Sequence, residues 1–255
     1  MMQKEIDVTA LGELLIDFTE NGVSSQGNAL LEANPGGAPC NVLAMLGKLG
    51  KKTAFIGKVG NDQFGNMLRK TIESVGIDAE GLVIDDKVHT TLAFVHTYPD
   101  GDRDFSFYRN PGADMMLRKE EVSLDKICAS KIFHFGTLSF THAGIRTASQ
   151  YAIQCAKEAG ALISFDPNLR EPLWENLEDA RKVIEYGMEC CDILKISDNE
   201  LTFMTGEKDY DKGAVLLQQK YQIPLVCVTL GKDGSRAYYK GLTIKAEPFL
   251  QKNTI

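Results

Sequence analysis

Short apolar runs alternate along the chain with segments whose apolar residues recur every three or four positions. Ile6–Leu15 reads as a strand. Val42, Met45, Leu46 and Leu49 then follow the i, i+3, i+4, i+7 spacing of a helix that buries one face. Thr53–Val59 reads as a strand, and Phe64, Met67, Leu68, Thr71, Ile72 and Val75 as a helix capped by Asn61 or Asp62. Ile132–Phe135, Ala161–Asp166, Asp192–Ser197 and Leu225–Thr229 are short apolar runs of buried-strand type. Helical stretches over 143–159, 176–190 and 198–221 separate them, the last broken near Gly206. Strand–helix–strand alternation of this kind predicts an α/β fold with a mostly parallel central sheet flanked by helices.

Two places break the rhythm. Thr90–Tyr98 alternates, with Leu92, Phe94, His96 and Tyr98 on one face; Pro99-Asp-Gly-Asp is a turn signal, and Asp104–Tyr108 alternates again. This predicts an antiparallel hairpin that joins the segment after Asp17 in a small sheet over the main domain. A last hairpin pairs Arg236–Tyr239 with Leu242–Ala246 through Lys240-Gly241.

Composition narrows the class. The chain has 255 residues, 44% hydrophobic and 25% charged, with a formal net charge of −7. An acidic surface argues against nucleic acid as a partner. No apolar run approaches the roughly 18 residues of a membrane span. The N-terminal stretch is interrupted by Glu5, Asp7 and Glu13, unlike a signal peptide. Six cysteines without a Cys-x-x-Cys pair, and four scattered histidines, give neither a disulfide framework nor zinc spacing. A cytoplasmic location is the expectation.

There is no G-x-x-x-x-G-K-[ST] loop and no G-x-G-x-x-G, so any phosphate chemistry must use other loops. Asn34-Pro-Gly-Gly-Ala-Pro-Cys-Asn41 precedes a helix. Gly36 and Gly37 let a ligand approach the backbone, and Asn41 offers an amide to hydroxyls; the alternative is a turn with Asn41 as helix cap. Asp17 stands in an apolar run, where a carboxylate can accept two hydroxyls, or else is a solvated loop residue. Ser197-Asp-Asn-Glu200 is a capping box, and Glu200 also suits a position near a nucleotide's magnesium. Thr229-Leu-Gly231-Lys-Asp-Gly234 follows a strand, where α/β folds hold ligands, or simply turns into the hairpin. Arg109 and Arg170 end the list, each otherwise a solvated or ion-paired group, whereas Lys51-Lys52 and Glu120-Glu121 read as solvated surface.

The order of these signals carries more than any one of them. Gly12-Glu-x-x-x-Asp17, Pro35-Gly-Gly-Ala-Pro-x-Asn41, Gly57-x-Val-Gly-x-Asp-x-Phe-Gly65, Phe107-Tyr-Arg-Asn-Pro-Gly-Ala-Asp114, Asp166-Pro-Asn-Leu-Arg-x-Pro-Leu-Trp174 and Thr229-x-Gly-x-x-Gly234 together resemble the ribokinase-like (PfkB) carbohydrate kinases. The Phe107–Asp114 and Asp166–Trp174 segments are most similar to fructokinases. The resemblance implies a ribokinase-like domain over 1–255, with lid segments at about 13–34 and 88–112. It implies ATP-dependent phosphorylation of a sugar, D-fructose first, with ATP and Mg2+ as cofactors and a monovalent cation such as K+ as a possible addition. A homodimer through the lid would be the partner. Asp17, Gly36, Gly37, Asn41, Phe107, Arg109, Asp166 and Arg170 would hold the sugar. Ser197, Thr229, Gly231 and Gly234 would line the nucleotide, and Glu200 would be linked to the metal. Leu15 and Ser197 depart from ribokinases and argue against ribose.

Two rival readings remain. One is 2-keto-3-deoxygluconate kinase, in which two arginines would grip the substrate carboxylate. The other is an inactive sugar-binding relative. The family's Asp-Thr-x-Gly-Ala-Gly-Asp signature, whose last Asp is the base, does not occur up to Ile255. The resemblance therefore implies a base beyond Ile255 and an inactive 255-residue chain.

Overall fold

The computed structural model describes residues 4–97 and 103–248. Tyr98, the Pro99-Asp-Gly-Asp turn and the segment 249–255 lie outside the described residues. In chain order the elements begin with β1 (Ile6–Leu11), β2 (Leu15–Val23), β3 (Ala29–Gly36) and α1 (Ala38–Lys48). There follow β4 (Thr53–Gly60), α2 (Gln63–Ser74), β5 (Ile77–Asp85), β6 (Leu92–Thr97), β7 (Arg103–Tyr108) and α3 (Leu124–Cys128). The chain continues through β8 (Ser130–Gly136), α4 (Ala143–Glu158), β9 (Leu162–Asp166), α5 (Leu177–Cys190) and β10 (Ile193–Ser197). It ends with α6 (Asp198–Thr205), α7 (Tyr210–Tyr221), β11 (Leu225–Thr229), β12 (Ser235–Tyr239) and β13 (Leu242–Ala246).

Nine strands form the main sheet in the order β13-β12-β11-β10-β9-β8-β1-β4-β5. From β11 to β5 every pairing is parallel, and the β12–β13 hairpin closes one edge antiparallel. Around β1 and β4 helices cover both faces, so these strands carry apolar residues on both sides. β1 sends Val8 and Ala10 to a core with α1 and α2, and Leu11 to a larger core with α4 and α5. In β4, Phe55 and Ile56 part the same way.

A second sheet, ordered β3-β2-β6-β7, forms the lid. β2 runs parallel to β6 and antiparallel to β3. Register gives it two distinct faces. Asp17 lies beside Ala93, which lies beside Phe107; Val95 lies beside Phe105. The other face carries Phe18, stacked on Phe94 at 5.0 Å, with Tyr108 edge-on to Phe94.

Several expectations are revised. The apolar run 6–15 is not one strand: β1 stops at Leu11, and the chain passes through Gly12-Glu13-Leu14 into the other sheet at Leu15. Asp17 is thus the third residue of a lid strand rather than the end of a central one. The first helix starts at Ala38, not Val42. Asn41 is inside its first turn and does not cap it. The alternation expected of β6 is present, with Ala93 and Val95 buried and Leu92, Phe94 and His96 on the outer face, half-buried or exposed. Glu121 is not merely solvated: its carboxylate accepts from the buried Lys58 ammonium at 3.0 Å, and Lys58 also pairs with Asp85 at 3.1 Å.

Candidate active site

The C-terminal ends of the parallel strands converge under the lid. Where β1 leaves the main sheet, Glu13 is fully buried, and its Oε1 accepts the Ala38 amide at 2.9 Å. That amide opens α1, so the carboxylate sits at the positive end of the helix. Pro39, in the first turn, has no amide to satisfy there. Gly37 has φ 117°, and a side chain at it would run into the Glu13 carbonyl; glycine is required for the chain to pass. At Gly36 a side chain would instead strike the carboxylate of Asp17.

These residues form one wall of a cavity of about 290 Å³. Glu13, Asp17, Gly37, Ala38 and Asn41 line that side, Phe105 and Phe107 hang from β7, and Asp166, Asn168 and Arg170 form the floor beyond β9. Leu15, Val42 and Leu138 supply apolar contact. Asp17 has no hydrogen-bond partner among the described residues. Burial raises its pKa above the ordinary carboxylate value, and the Arg170 guanidinium opposes this. Arg170 lies 5.5 Å from the Phe105 ring centre and donates one N–H to the Leu169 carbonyl at 3.1 Å. A half-buried carboxylate, a guanidinium, two amide side chains and two aromatic rings around such a volume suit a small polyhydroxylated molecule.

Asp166 is nearly buried. Lys195 reaches it at 3.1 Å, and the Asn168 amide donates to Oδ1 at 3.1 Å. Burial raises its pKa, with Lys195 opposing. Nearby, His134 lies 3.0 Å from the Ser164 hydroxyl, and burial drives its pKa down to about 4.

The expected residues divide at this point. Asp17, Gly37, Asn41, Phe107, Asp166 and Arg170 share the cavity lining, and Gly36 backs it. Arg109 does not. Its guanidinium is buried and donates to Asp114 Oδ2 from Nε at 2.8 Å and from Nη2 at 2.6 Å. Nη1 donates to Thr141 at 2.8 Å, and Nη2 also to the Leu138 carbonyl at 3.0 Å. Asp114 in turn accepts from Thr91 at 2.5 Å. Both roots of the lid hairpin are thereby tied to the main domain. Arg109 acts as that tie, because Asp114 five residues on claims its charge.

Along the next strands, Ser197 and Thr229 are neighbours in register, and Gly231 and Gly234 follow in the turn between β11 and β12. Ser197 and Glu200 form the reciprocal cap of α6. Glu200 Oε2 accepts from the Ser197 amide and hydroxyl, each at 2.8 Å. Oε1 accepts from the Leu169 amide at 2.7 Å, tying the cap to the loop that carries Arg170. Both carboxylate oxygens are therefore engaged. Glu13, Asp114, Lys58 and Lys195 were not anticipated as functional or structural polar groups. For Glu13 and Lys58 the signal existed: each is a charged residue inside an otherwise apolar run.

Comparison with known proteins agrees with this architecture. The pfkB family carbohydrate kinases match residues 5–255. The Arabidopsis thaliana protein named probable fructokinase-2 is 46% identical over 245 residues, covering 95% of this chain and 74% of that protein. The fructokinase structure from Xylella fastidiosa superposes with a TM-score of 0.88 at 30% identity, over 98% of this chain and 77% of that one. A double mutant of the Vibrio cholerae O395 fructokinase, solved with fructose, ADP and potassium ion bound, gives 0.86 at 28% identity, over 99% and 79%. No helix among the described residues is long and apolar enough to cross a membrane. With a match across almost its whole length and these relatives, the chain belongs to the pfkB family of carbohydrate kinases.

Proposed function

We propose that the chain carries the sugar pocket and nucleotide-facing edge of an ATP-dependent fructokinase, which converts D-fructose and ATP to fructose 6-phosphate and ADP. The observation that carries this reading is the cavity under the lid, where the uncommitted carboxylate of Asp17 faces Arg170 and Asn41. Asp17 accepts sugar hydroxyls, Asn41 and Arg170 donate to them, and Phe105 and Phe107 cover the ring. The lid excludes water when it closes over the sugar. ATP lies along Ser197, Thr229, Gly231 and Gly234, beyond the strand ends.

Glu200 does not fit a direct magnesium ligand, since both its oxygens accept protein hydrogen bonds. In this reading Mg2+ is held chiefly by the nucleotide phosphates and water, and Glu200 fixes the loop beneath them. A monovalent cation such as K+ belongs to the proposal on the strength of the Vibrio cholerae relative alone.

None of these carboxylates is assigned the role of general base. Asp166 is held by Lys195, Glu200 by its cap, and Glu13 by Ala38, while Asp17 sits on the lid sheet with the sugar-binding groups. In this reading residues 1–255, assayed by themselves, bind fructose weakly at best and transfer phosphate at a negligible rate. Release of ADP from ATP in the presence and absence of fructose tests this. Fructose-dependent turnover at an ordinary kinase rate would place the base within the chain, with Asp17 and Asp166 the first to examine. Absence of fructose binding would sink the sugar assignment itself. The outer face of the lid, with Tyr108 and Leu31 exposed beside Phe18 and Phe94, is proposed to pair with a second copy. A monomer by sedimentation at micromolar concentration would contradict that.

A further inference from the structure

β10 reads Ile-Leu-Lys-Ile-Ser, a lysine set into an otherwise apolar strand. Leu194 and Ile196 turn into the larger core, as do Val226 and Val228 of β11. Lys195 therefore stands on the opposite face of the sheet, with Ile193 and Ser197. In register it lies beside Cys227, and Ser197 beside Thr229. From that place its ammonium reaches both oxygens of Asp166, at 3.2 and 3.1 Å. Asp166 lines the sugar cavity, whereas Ser197 and Thr229 belong to the edge assigned to ATP. Lys195 is thus a cation standing between the two proposed sites.

An ion pair that only neutralised Asp166 would explain half of this. The Lys195 side chain is 41% exposed against 11% for Asp166, and with two N–H groups on Asp166 its third donor has no partner among the described residues. Ser197 lies two residues on, about 6.6 Å along the strand, within the span of lysine's four-carbon stem. The ammonium can therefore swing from Asp166 to the Ser197 and Thr229 row without any backbone movement. Nearby groups do not compete for it. His134 is held neutral, its pKa lowered to about 4 by burial and by the Lys195 charge. Both Glu200 oxygens already accept from Ser197 and Leu169.

We propose that Lys195 contacts the phosphoryl group as it passes from ATP to the sugar, exchanging Asp166 for a phosphate oxygen. The inference rests on the sugar and nucleotide sites proposed above. A point charge on a flexible stem can follow a group that moves between two sites, which a guanidinium fork fixed in one geometry does less well. Negative charge spread over the moving oxygens is stabilised by a cation already in place, and Lys195 stays an ammonium throughout. Once transfer is complete the phosphate of fructose 6-phosphate remains within reach, so the product keeps a contact that fructose lacks. One charge-assisted hydrogen bond of this kind is worth roughly 10- to 100-fold in affinity.

The test is calorimetric titration of D-fructose and of D-fructose 6-phosphate into the wild-type chain, Lys195→Met and Lys195→Arg. Methionine keeps the apolar stem and removes the charge. In Lys195→Met the affinity for fructose 6-phosphate should fall roughly tenfold or more beyond any change for fructose. Lys195→Arg, which restores the charge, should recover most of that ratio. A merely structural role, in which Asp166 loses its partner, would weaken both ligands together. A ratio unmoved in Lys195→Met would therefore overturn the phosphoryl contact while the sugar site stands. A ratio that falls equally in both variants would trace to packing and overturn it too, as would a wild type that binds fructose but not fructose 6-phosphate. If Lys195→Met does not fold, trace acetylation of the wild-type lysines, read by peptide mass spectrometry, decides. Fructose 6-phosphate should protect Lys195 and fructose should not; equal protection, or none, would overturn the contact. Binding of neither ligand would remove the sugar reading and this inference with it.

Discussion

Replacing Gly36 by alanine sets a methyl group against the side chain proposed to grip the sugar. A Cβ there overlaps Asp17 Oδ2 and lies 2.9 Å from Asp17 Cγ and 3.1 Å from Leu15 Cδ1. An ordinary carbon contact is about 3.5–4.0 Å, so the Asp17 carboxylate must swing away. Because that carboxylate is the free end of a side chain without a partner among the described residues, the fold should lose less than about 1 kcal/mol. Sugar affinity should suffer far more. Losing one or two hydrogen bonds to a charged acceptor costs about 2–4 kcal/mol, a rise in Kd of roughly 30- to 1,000-fold. Gly37→Ala is the control with the opposite profile. There φ is 117°, and the Cβ meets backbone, 3.1 Å from Glu13 C and 3.2 Å from Leu14 Cα. The backbone itself must move, at a cost of about 2–3 kcal/mol or a Tm lower by roughly 4–12 °C. Thermal melts and calorimetric titration with fructose on both variants separate the two effects. A folded Gly36→Ala protein that binds fructose as tightly as the wild type would refute the placement of Asp17 against the sugar.

Other consequences follow from the buried polar groups. Glu200→Ala removes the acceptor for the Ser197 amide, the Ser197 hydroxyl and the Leu169 amide, and should lower stability by about 3 kcal/mol, read as a Tm drop of roughly 6–12 °C. Arg109→Ala leaves Asp114 buried and unpaired and should cost about 3–5 kcal/mol in chemical denaturation; in the Arg109→Ala, Asp114→Ala double variant the cost should be well below the sum of the singles. Glu13 has a folded pKa of about 7 against 4.5 unfolded, so the native state holds its proton more tightly, and stability is lost as pH rises between those values. His134 works the other way: its pKa falls from 6.5 to about 4, so stability is lost as pH drops through that window. The two oppose each other between about pH 4.5 and 6.5. Glu13→Gln should therefore lose stability on acidification more steeply than the wild type, and parallel pH profiles would contradict this.

Much of this architecture is legible from residues alone, and the failures have physical causes. β8, β9, β10 and β11 bury alternate apolar residues in the larger core, so they read as short apolar runs with little ambiguity. β3 does not: nearly all of Ala29–Gly36 is exposed or half-exposed, and the face that Ala29, Leu31, Ala33 and Pro35 share holds alanines, a leucine and a proline rather than β-branched or aromatic residues. β5, at the sheet edge, carries Asp78, Glu80 and Asp85 and was likewise unmarked. The passage from one sheet to another at Gly12-Glu13-Leu14 is hidden because Leu11, Leu14, Leu15 and Ile16 are all buried. A continuous apolar run gives no sign that the chain has changed partners. In the site, Asp17 stands out as a polar residue in that run, and the same argument applied to Glu13 would have found it. Arg109 is different. Its partner Asp114 is five residues away across an irregular loop, a spacing that marks neither a helix face nor a strand pair. Only the folded geometry shows that the guanidinium is spoken for.

The central claim is that Asp17 and the residues around it hold a ketohexose under the lid. Calorimetric titration of D-fructose into the wild-type chain and into Asp17→Ala tests it most directly. Saturable binding by the wild type, weakened at least tenfold in a variant with an unchanged melting profile, is the result expected from two lost charge-assisted hydrogen bonds. Equal affinity in the two proteins, or no fructose binding by the wild type, would contradict it.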